Sequence, residues 1–270
     1  MDHGRWATDD GAVSAGKPLA ARPMHSVPTN TTRSCAMAIF ARAPSPGRAK
    51  TRLIPLLGSR GAAEFQAALI SDCIRKVNVL GGRASRYVFF AGTRSPAPAA
   101  LISRLTLVRQ RGADLGERLA HAFRKLLRRH AVAVVIGTDS PTLAPRTLRT
   151  ARRELRVCGA VLGPSPDGGF YLLGLRRVGA RDIRGLFRGV RWGSAFAFRD
   201  TLRNLLRHGL ACSILEPCAD VDRPEDFRRL GRALAGRRAL RRGAPAVWRF
   251  VMEHGAVPED SAAARNRLAR

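Results

Sequence analysis

The segment ARAPSPGRAKTRL (Ala41–Leu53) follows directly on the apolar run Ala36–Phe40 and gathers one glycine, two prolines and four cationic side chains into a single loop. A strand that opens an α/β domain and breaks into such a turn offers backbone N–H groups and cations to an anionic ligand. A nucleotide diphosphate is the expected ligand. The loop has neither the G-x-x-x-x-G-K-[ST] nor the G-x-G-x-x-G spacing, which argues against the two commonest nucleotide-binding folds.

Further along, apolar β-type runs at Tyr87–Ala91, Leu105–Val108, Val132–Ile136, Ala160–Leu162 and Cys212–Leu215 alternate with helical patterns. Ala62–Val79 carries apolar residues at helical spacing and meets a stop at Gly81. In Asp114–Arg129, Asp114 reads as an N-cap with Glu117 three residues later, ahead of the stripe Leu115, Leu119, Ala122, Phe123 and Leu126. Pro145 and Pro224 stand where first helical turns begin, before Arg146–Val157 and Glu225–Ala235. Alternation of this kind predicts a mainly parallel, Rossmann-like α/β sheet in one domain, with helices on both faces and ligands at the carboxyl ends of the strands. Residues 35–235 form that domain in this reading. Residues 1–34 read as a disordered leader and 236–270 as a basic extension with helical character around Trp248, Phe250 and Val251.

The formal charge of +28 and pI near 11.8 raise the question of nucleic acid. Nearly all the excess is arginine, lysine occurring only at positions 17, 50, 76 and 125, and the arginines are spread over every expected helix. No zinc finger, helix-turn-helix or aromatic RNA-binding motif accompanies them, so no specific nucleic-acid partner is expected. The five scattered cysteines fit a reducing cytoplasm. No run approaches the ~18 apolar residues of a membrane span. Nothing in the sequence determines an oligomeric state.

Carboxylates supply the next layer. Asp139 falls just past the strand Val132–Ile136, in Gly137-Thr138-Asp139-Ser140-Pro141, where it points into the expected crevice or caps the following turn. Hard divalent ions are commonly held by one or two carboxylates plus substrate phosphates. A second acidic cluster, Asp220-Val221-Asp222-Arg223-Pro224-Glu225-Asp226, can supply another metal ligand from Asp220 or Asp222, its remaining acids serving the helix N-terminus. Asp167-Gly168-Gly169 precedes an apolar strand. It reads either as a close-approach site with Asp167 as general base or as a tight turn between strands. Gln110 and Gly116 flank a segment suited to reading a base edge or simply to starting a helix.

Taken together, ARAPSPGRAKTRL, GADLGERLAHAF, IGTDSPTLAP, LGPSPDGGFYLLGL, LFRGVRWGS and DVDRPEDF, in this order between Ala36 and Leu230, resemble the bacterial DUF2064 family of nucleotide-diphospho-sugar transferases, often labelled radical-SAM-, selenium- or arsenosugar-associated glycosyltransferases. The resemblance implies a GT-A fold. It also implies that Arg42, Gly47, Arg48, Lys50 and Arg52 face nucleotide phosphates, that Gln110 and Gly116 lie near the base, and that Asp139 and Asp222 bind Mg²⁺ or Mn²⁺. Asp167 would be the acceptor-side base, with Gly168, Gly169 and Trp192 near the acceptor. Two positions depart from the family pattern: Arg42 stands where many relatives carry lysine, and Trp192-Gly193-Ser194 where Trp-Ser-Thr is expected. The implied activity is metal-dependent sugar transfer from a nucleotide-diphospho-sugar to a small-molecule acceptor. The alternatives are guanylyl- or cytidylyl-type nucleotidyl transfer to a phosphorylated small molecule, and a catalytically silent nucleotide-binding module.

Overall fold

The structure, a computed structural model, describes residues 34–80, 84–92, 105–177 and 182–255. The expected leader and Gly81 lie outside these residues. Seven strands form one sheet: β1 (Cys35–Arg42), β2 (Ser85–Ala91), β3 (Thr106–Arg109), β4 (Val132–Ile136), β5 (Ala160–Pro164), β6 (Phe170–Arg176) and β7 (Cys212–Ile214). Their order is β3-β2-β1-β4-β6-β5-β7. All neighbouring pairs are parallel except those made by β6, which runs antiparallel to β4 and β5. The sheet is thus mainly parallel, as expected, with one reversed strand inserted between β4 and β5.

That reversal has a local cause. The Ser165 N–H donates to the Gly169 carbonyl, the Gly168 N–H to the Ser165 carbonyl, and the Gly169 N–H to Asp167 Oδ1 at 3.0 Å, closing a tight hairpin. Gly168 sits at φ 85°, a left-handed conformation that favours glycine, and a β-carbon there would collide with the backbone of Ala195.

Alternation along β1 sends Ala36 and Ala38 to one face and Cys35, Met37, Ile39 and Ala41 to the other, so β1 joins two cores. The first face is covered by α2 (Leu115–Leu127) and α4 (Ala197–Arg207), with Leu119, Phe123, Leu126 and Leu205 buried. The second is covered by α1 (Ile54–Asn78) and α3 (Pro145–Glu154), through Ile70, Ile74, Leu148 and Ala151. Helix α1 begins eight residues before the apolar pattern because a short turn of helix precedes Gly58, whose φ of 68° and ψ of 167° break the helical path.

Three more helices follow: α5 (Pro224–Gly236), α6 (Arg238–Gly243) and α7 (Pro245–Glu253). Phe65 of α1 meets Phe227 edge-on at 5.1 Å and Phe250 at 5.4 Å, so α1, α5 and α7 share a third core. Asp72, 1% exposed, accepts the N–H groups of Ala246 (3.1 Å) and Val247 (2.9 Å) and satisfies donors at the start of α7.

The Asp114 cap takes the expected form. Its Oδ1 accepts the Glu117 N–H at 2.8 Å, while Glu117 Oε2 accepts the N–H of Ala113. Asp114→Ala is expected to cost about 1 kcal/mol of stability. Urea denaturation should record a lower midpoint with an unchanged slope.

Candidate functional site

In this strand order the chain leaves β1 for β2 on one side and reaches β4 on the other, so a crevice opens beyond the carboxyl ends of β1 and β4. A cavity of about 580 Å³ lies there, lined by Arg42 at the end of β1, Gly137, Thr138 and Asp139 after β4, Gln110 after β3, Phe170 and Tyr171 on β6, and the loop residues Arg48, Lys50 and Arg52. Asp222 completes the wall from the segment before α5. The cationic loop and both metal-candidate carboxylates therefore converge on one cavity.

Lys50 is the hinge of this arrangement. Its side chain is 5% exposed, and its Nζ donates to Asp139 Oδ1 at 2.6 Å, Asp222 Oδ1 at 2.8 Å and the Val221 carbonyl at 2.7 Å. An ammonium has three N–H donors, and three acceptors engage them. Burial alone would pull this lysine's pKa down, but the two carboxylates outweigh it and hold the pKa above the ordinary value. Burial also pushes Asp222 upward, and Lys50 overrides that push and holds its carboxyl below the usual range. The Val221 N–H donates to the Asp139 carbonyl at 2.9 Å, which fastens the two acidic segments side by side.

This corrects one sequence expectation: the Lys50 ammonium faces the carboxylates rather than an open phosphate position. Arg42, Arg48 and Arg52, by contrast, are exposed at the rim of the cavity. Gly47, at φ 73°, turns the loop, and the Arg48 and Ala49 N–H groups donate to the Ser45 carbonyl, which leaves those two out of anion binding.

Other expected residues acquire structural roles. A β-carbon on Gly116 would lie 2.8 Å from Trp192 Nε1, so this glycine makes room for an indole packed against Phe170 and Phe187 rather than for a base. Neither Gly116 nor Trp192 lines the cavity. Gly168 and Gly169 build the β5–β6 turn. Asp167 is exposed at its tip, outside the cavity wall. Gln110 does line the cavity, but its Nε2 donates to the Ala41 (3.3 Å) and Phe89 (2.9 Å) carbonyls, which leaves its oxygen as the acceptor group of the side chain.

Sequence reasoning gave no site role to two buried polar residues, Gln66 and Lys76. Gln66 Nε2 donates to Thr138 Oγ1 at 3.2 Å and Lys76 Nζ to the Pro141 carbonyl at 2.6 Å, so α1 grips the Asp139 loop from both sides. Their signal was present, since Gln66, Asp72 and Lys76 interrupt the apolar stripe of α1. Asp220, the other carboxylate that the second acidic cluster offered for a metal, is half-buried, and its Oδ1 accepts the Ser140 hydroxyl. Its pKa is pushed up to about 6 by burial first, with the charges of Asp139 and Asp167 acting in the same direction and the Ser140 hydrogen bond opposing.

Among the described residues no group of three His, Cys, Asp or Glu side chains is placed to hold a metal. The donor set fits a hard divalent ion in a different way. Asp139 and Asp222 are 45% and 44% exposed at the cavity, and each has a second oxygen outside the Lys50 bridge, so substrate phosphates and water would complete the shell.

Residues 77–194 match the family described as an uncharacterized protein conserved in bacteria, DUF2064. The resemblance was to DUF2064. No curated protein matches the chain. Among solved structures, one from Desulfovibrio desulfuricans G20, provisionally named a nucleotide-diphospho-sugar transferase, is 27% identical with a TM-score of 0.73, covering 84% of this chain and 96% of that one. The 4-diphosphocytidyl-2C-methyl-D-erythritol synthase of Anaerococcus prevotii DSM 20548 is 9% identical with a TM-score of 0.50, covering 76% of this chain and 99% of that one. Glucosyl-3-phosphoglycerate synthase of Mycobacterium tuberculosis, solved with Mn²⁺, UDP and glucosyl-3-phosphoglycerate, is 13% identical with a TM-score of 0.46, covering 87% and 88%. The first structure, at the higher identity and TM-score, gives the chain the fold of a protein provisionally named a nucleotide-diphospho-sugar transferase.

Asp220 makes stability depend on pH. A carboxyl whose folded pKa is raised contributes stability that is complete below the unfolded value near 3.8 and lost as pH rises through about 6. Without added divalent ions, Asp220→Asn is therefore expected to be more stable than the parent at pH 8, by up to about 3 kcal/mol, and equal to it below about pH 4. Thermal unfolding of both proteins at pH 4, 6 and 8 checks this.

Proposed function

We propose that the protein transfers a sugar from a nucleotide-diphospho-sugar to a small-molecule acceptor. The observation that carries this reading is the convergence of the paired carboxylates Asp139 and Asp222 with Arg42, Arg48 and Arg52 on one cavity at the sheet's switch point. The likeness to the Desulfovibrio structure supports it.

In this reading the three guanidinium groups bind and orient the diphosphate and offset the charge that grows on it as the glycosidic bond to the sugar breaks. Asp139 and Asp222 are the residues that would hold Mg²⁺ or Mn²⁺. Bound there, the ion would act as a Lewis acid on the leaving diphosphate. The Gln110 oxygen, fixed by two backbone carbonyls, accepts a donor from the base edge. Asp167 takes the acceptor hydroxyl's proton, which requires the acceptor to enter at the tip of the β5–β6 hairpin. The five free thiols are in keeping with a reducing compartment, and none of the described helices is long and apolar enough to cross a membrane.

Incubation with Mn²⁺ and a panel of nucleotide sugars, followed by assay for free UDP, GDP or ADP, tests the reading. Release of nucleoside diphosphate is expected. Pyrophosphate release from a nucleoside triphosphate would instead establish nucleotidyl transfer, and nucleotide binding without turnover a silent module. Asp139→Ala is expected to lower metal-dependent turnover by about 100-fold or more; unchanged turnover removes Asp139 from the site. Binding to duplex DNA is expected to be weak, with a shallow dependence of affinity on salt.

A further inference from the structure

The Lys50 ammonium lies at the junction of Asp139 and Asp222, within hydrogen-bond distance of one oxygen of each. Its third donor is held by the Val221 carbonyl, so every proton it carries is engaged within the protein. A divalent ion bound by the same two carboxylates would meet a fixed positive charge beside it. Two carboxylates and one ammonium leave a net charge of only −1 to attract the ion, and Arg52 Nη1, 3.9 Å from Asp222 Oδ2, reduces it further. A diphosphate changes that balance: it brings negative charge and oxygen ligands, and it gives the ammonium another acceptor.

The backbone at Lys50 points the same way. Among the described residues it is the one non-glycine residue with positive φ, at φ 46° and ψ 46°. Left-handed backbone is unfavourable for a residue that carries a β-carbon. It persists only where surrounding contacts outweigh it. Here those contacts include the three made by the ammonium and the Leu53 N–H donated to the Lys50 carbonyl at 2.8 Å.

We propose that Lys50 is a built-in counter-cation of the Asp139–Asp222 pair, so that a divalent ion enters the pair together with a diphosphate and not before it. The inference rests on the proposed function in assigning those two carboxylates to a metal, and it adds an order of binding and a positioning role for Lys50. Lys50 holds the carboxylates at a fixed separation and hands them over when phosphate arrives.

The test is equilibrium dialysis of the full chain against Mn²⁺, alone and with inorganic pyrophosphate as the diphosphate probe, reading Mn²⁺ retained on the protein side above that carried by free pyrophosphate. The parent protein is expected to retain Mn²⁺ at least about ten-fold more tightly with pyrophosphate than without it. Lys50→Met, checked for folding by near-ultraviolet circular dichroism, is expected to bind Mn²⁺ alone at least about ten-fold more tightly than the parent, and Asp222→Asn added to it to remove the gain. The comparison on the parent protein stands even where the variant does not fold. Equal Mn²⁺ affinity of the parent with and without pyrophosphate, at a level abolished by Asp139→Ala, overturns the role of Lys50 and leaves the metal site intact. Absence of Mn²⁺ binding under every condition overturns both.

Discussion

A buried ammonium with two carboxylates and a carbonyl around it organises this protein. Isolated, a lysine 5% exposed would lose several kcal/mol of hydration or give up its proton. Paired with Asp139 and Asp222, it draws together three segments: the loop after β1, the loop after β4 and the approach to α5. The Val221 carbonyl, the Asp139 carbonyl and the Val221 N–H add backbone bonds at the same junction, so the acidic segments are fastened by main chain as well as by charge. The result is an acidic pair whose separation is set by the protein's own contacts.

The surrounding fold is arranged to keep that junction in place. Gln66 and Lys76, two polar side chains on the buried face of α1, hold Thr138 and Pro141 on either side of Asp139. Asp72, on the same helix, fastens the start of α7, and Phe65 packs against both Phe227 and Phe250. A single long helix thereby connects the loop that carries Asp139 to the C-terminal helices that cover it. On the opposite face, Asp200 accepts two hydrogen bonds from the Arg191 guanidinium, which holds its carboxyl down to about 2, and so anchors the turn that delivers Trp192 into the core.

The arginine surplus takes on a more specific meaning at the cavity. Most of the +28 charge is spread across helix surfaces, where it is solvated and screened. Arg42, Arg48 and Arg52 differ because they ring a concave site whose floor carries two carboxylates. Opposite charges in one crevice suit a ligand that is itself mixed, an anion accompanied by a cation, better than they suit a polyanion such as nucleic acid. Gln110 also lines the cavity, with its amide nitrogen held by the Ala41 and Phe89 carbonyls.

Local features of the chain were legible without coordinates. Apolar runs located six strands, Asp114 and Glu117 marked the start of α2, and the order of loops and acids carried the resemblance to DUF2064. These depend on neighbours a few residues away, through side-chain period, capping and turn chemistry. The direction of Lys50 and the interlock of Gly116 with Trp192 were not legible, and the hairpin turn at Asp167-Gly168-Gly169 was legible only as one of two readings. Each is decided by which segments meet across the sheet, and a residue's type does not say which distant partner will satisfy it. The sequence alone established a mainly parallel α/β fold with a cationic loop and two acidic clusters. Tertiary structure decided that the loop's lysine would be buried between the acids and its arginines left at the cavity rim, because a buried ammonium must find acceptors inside the protein while a guanidinium at the rim keeps its water.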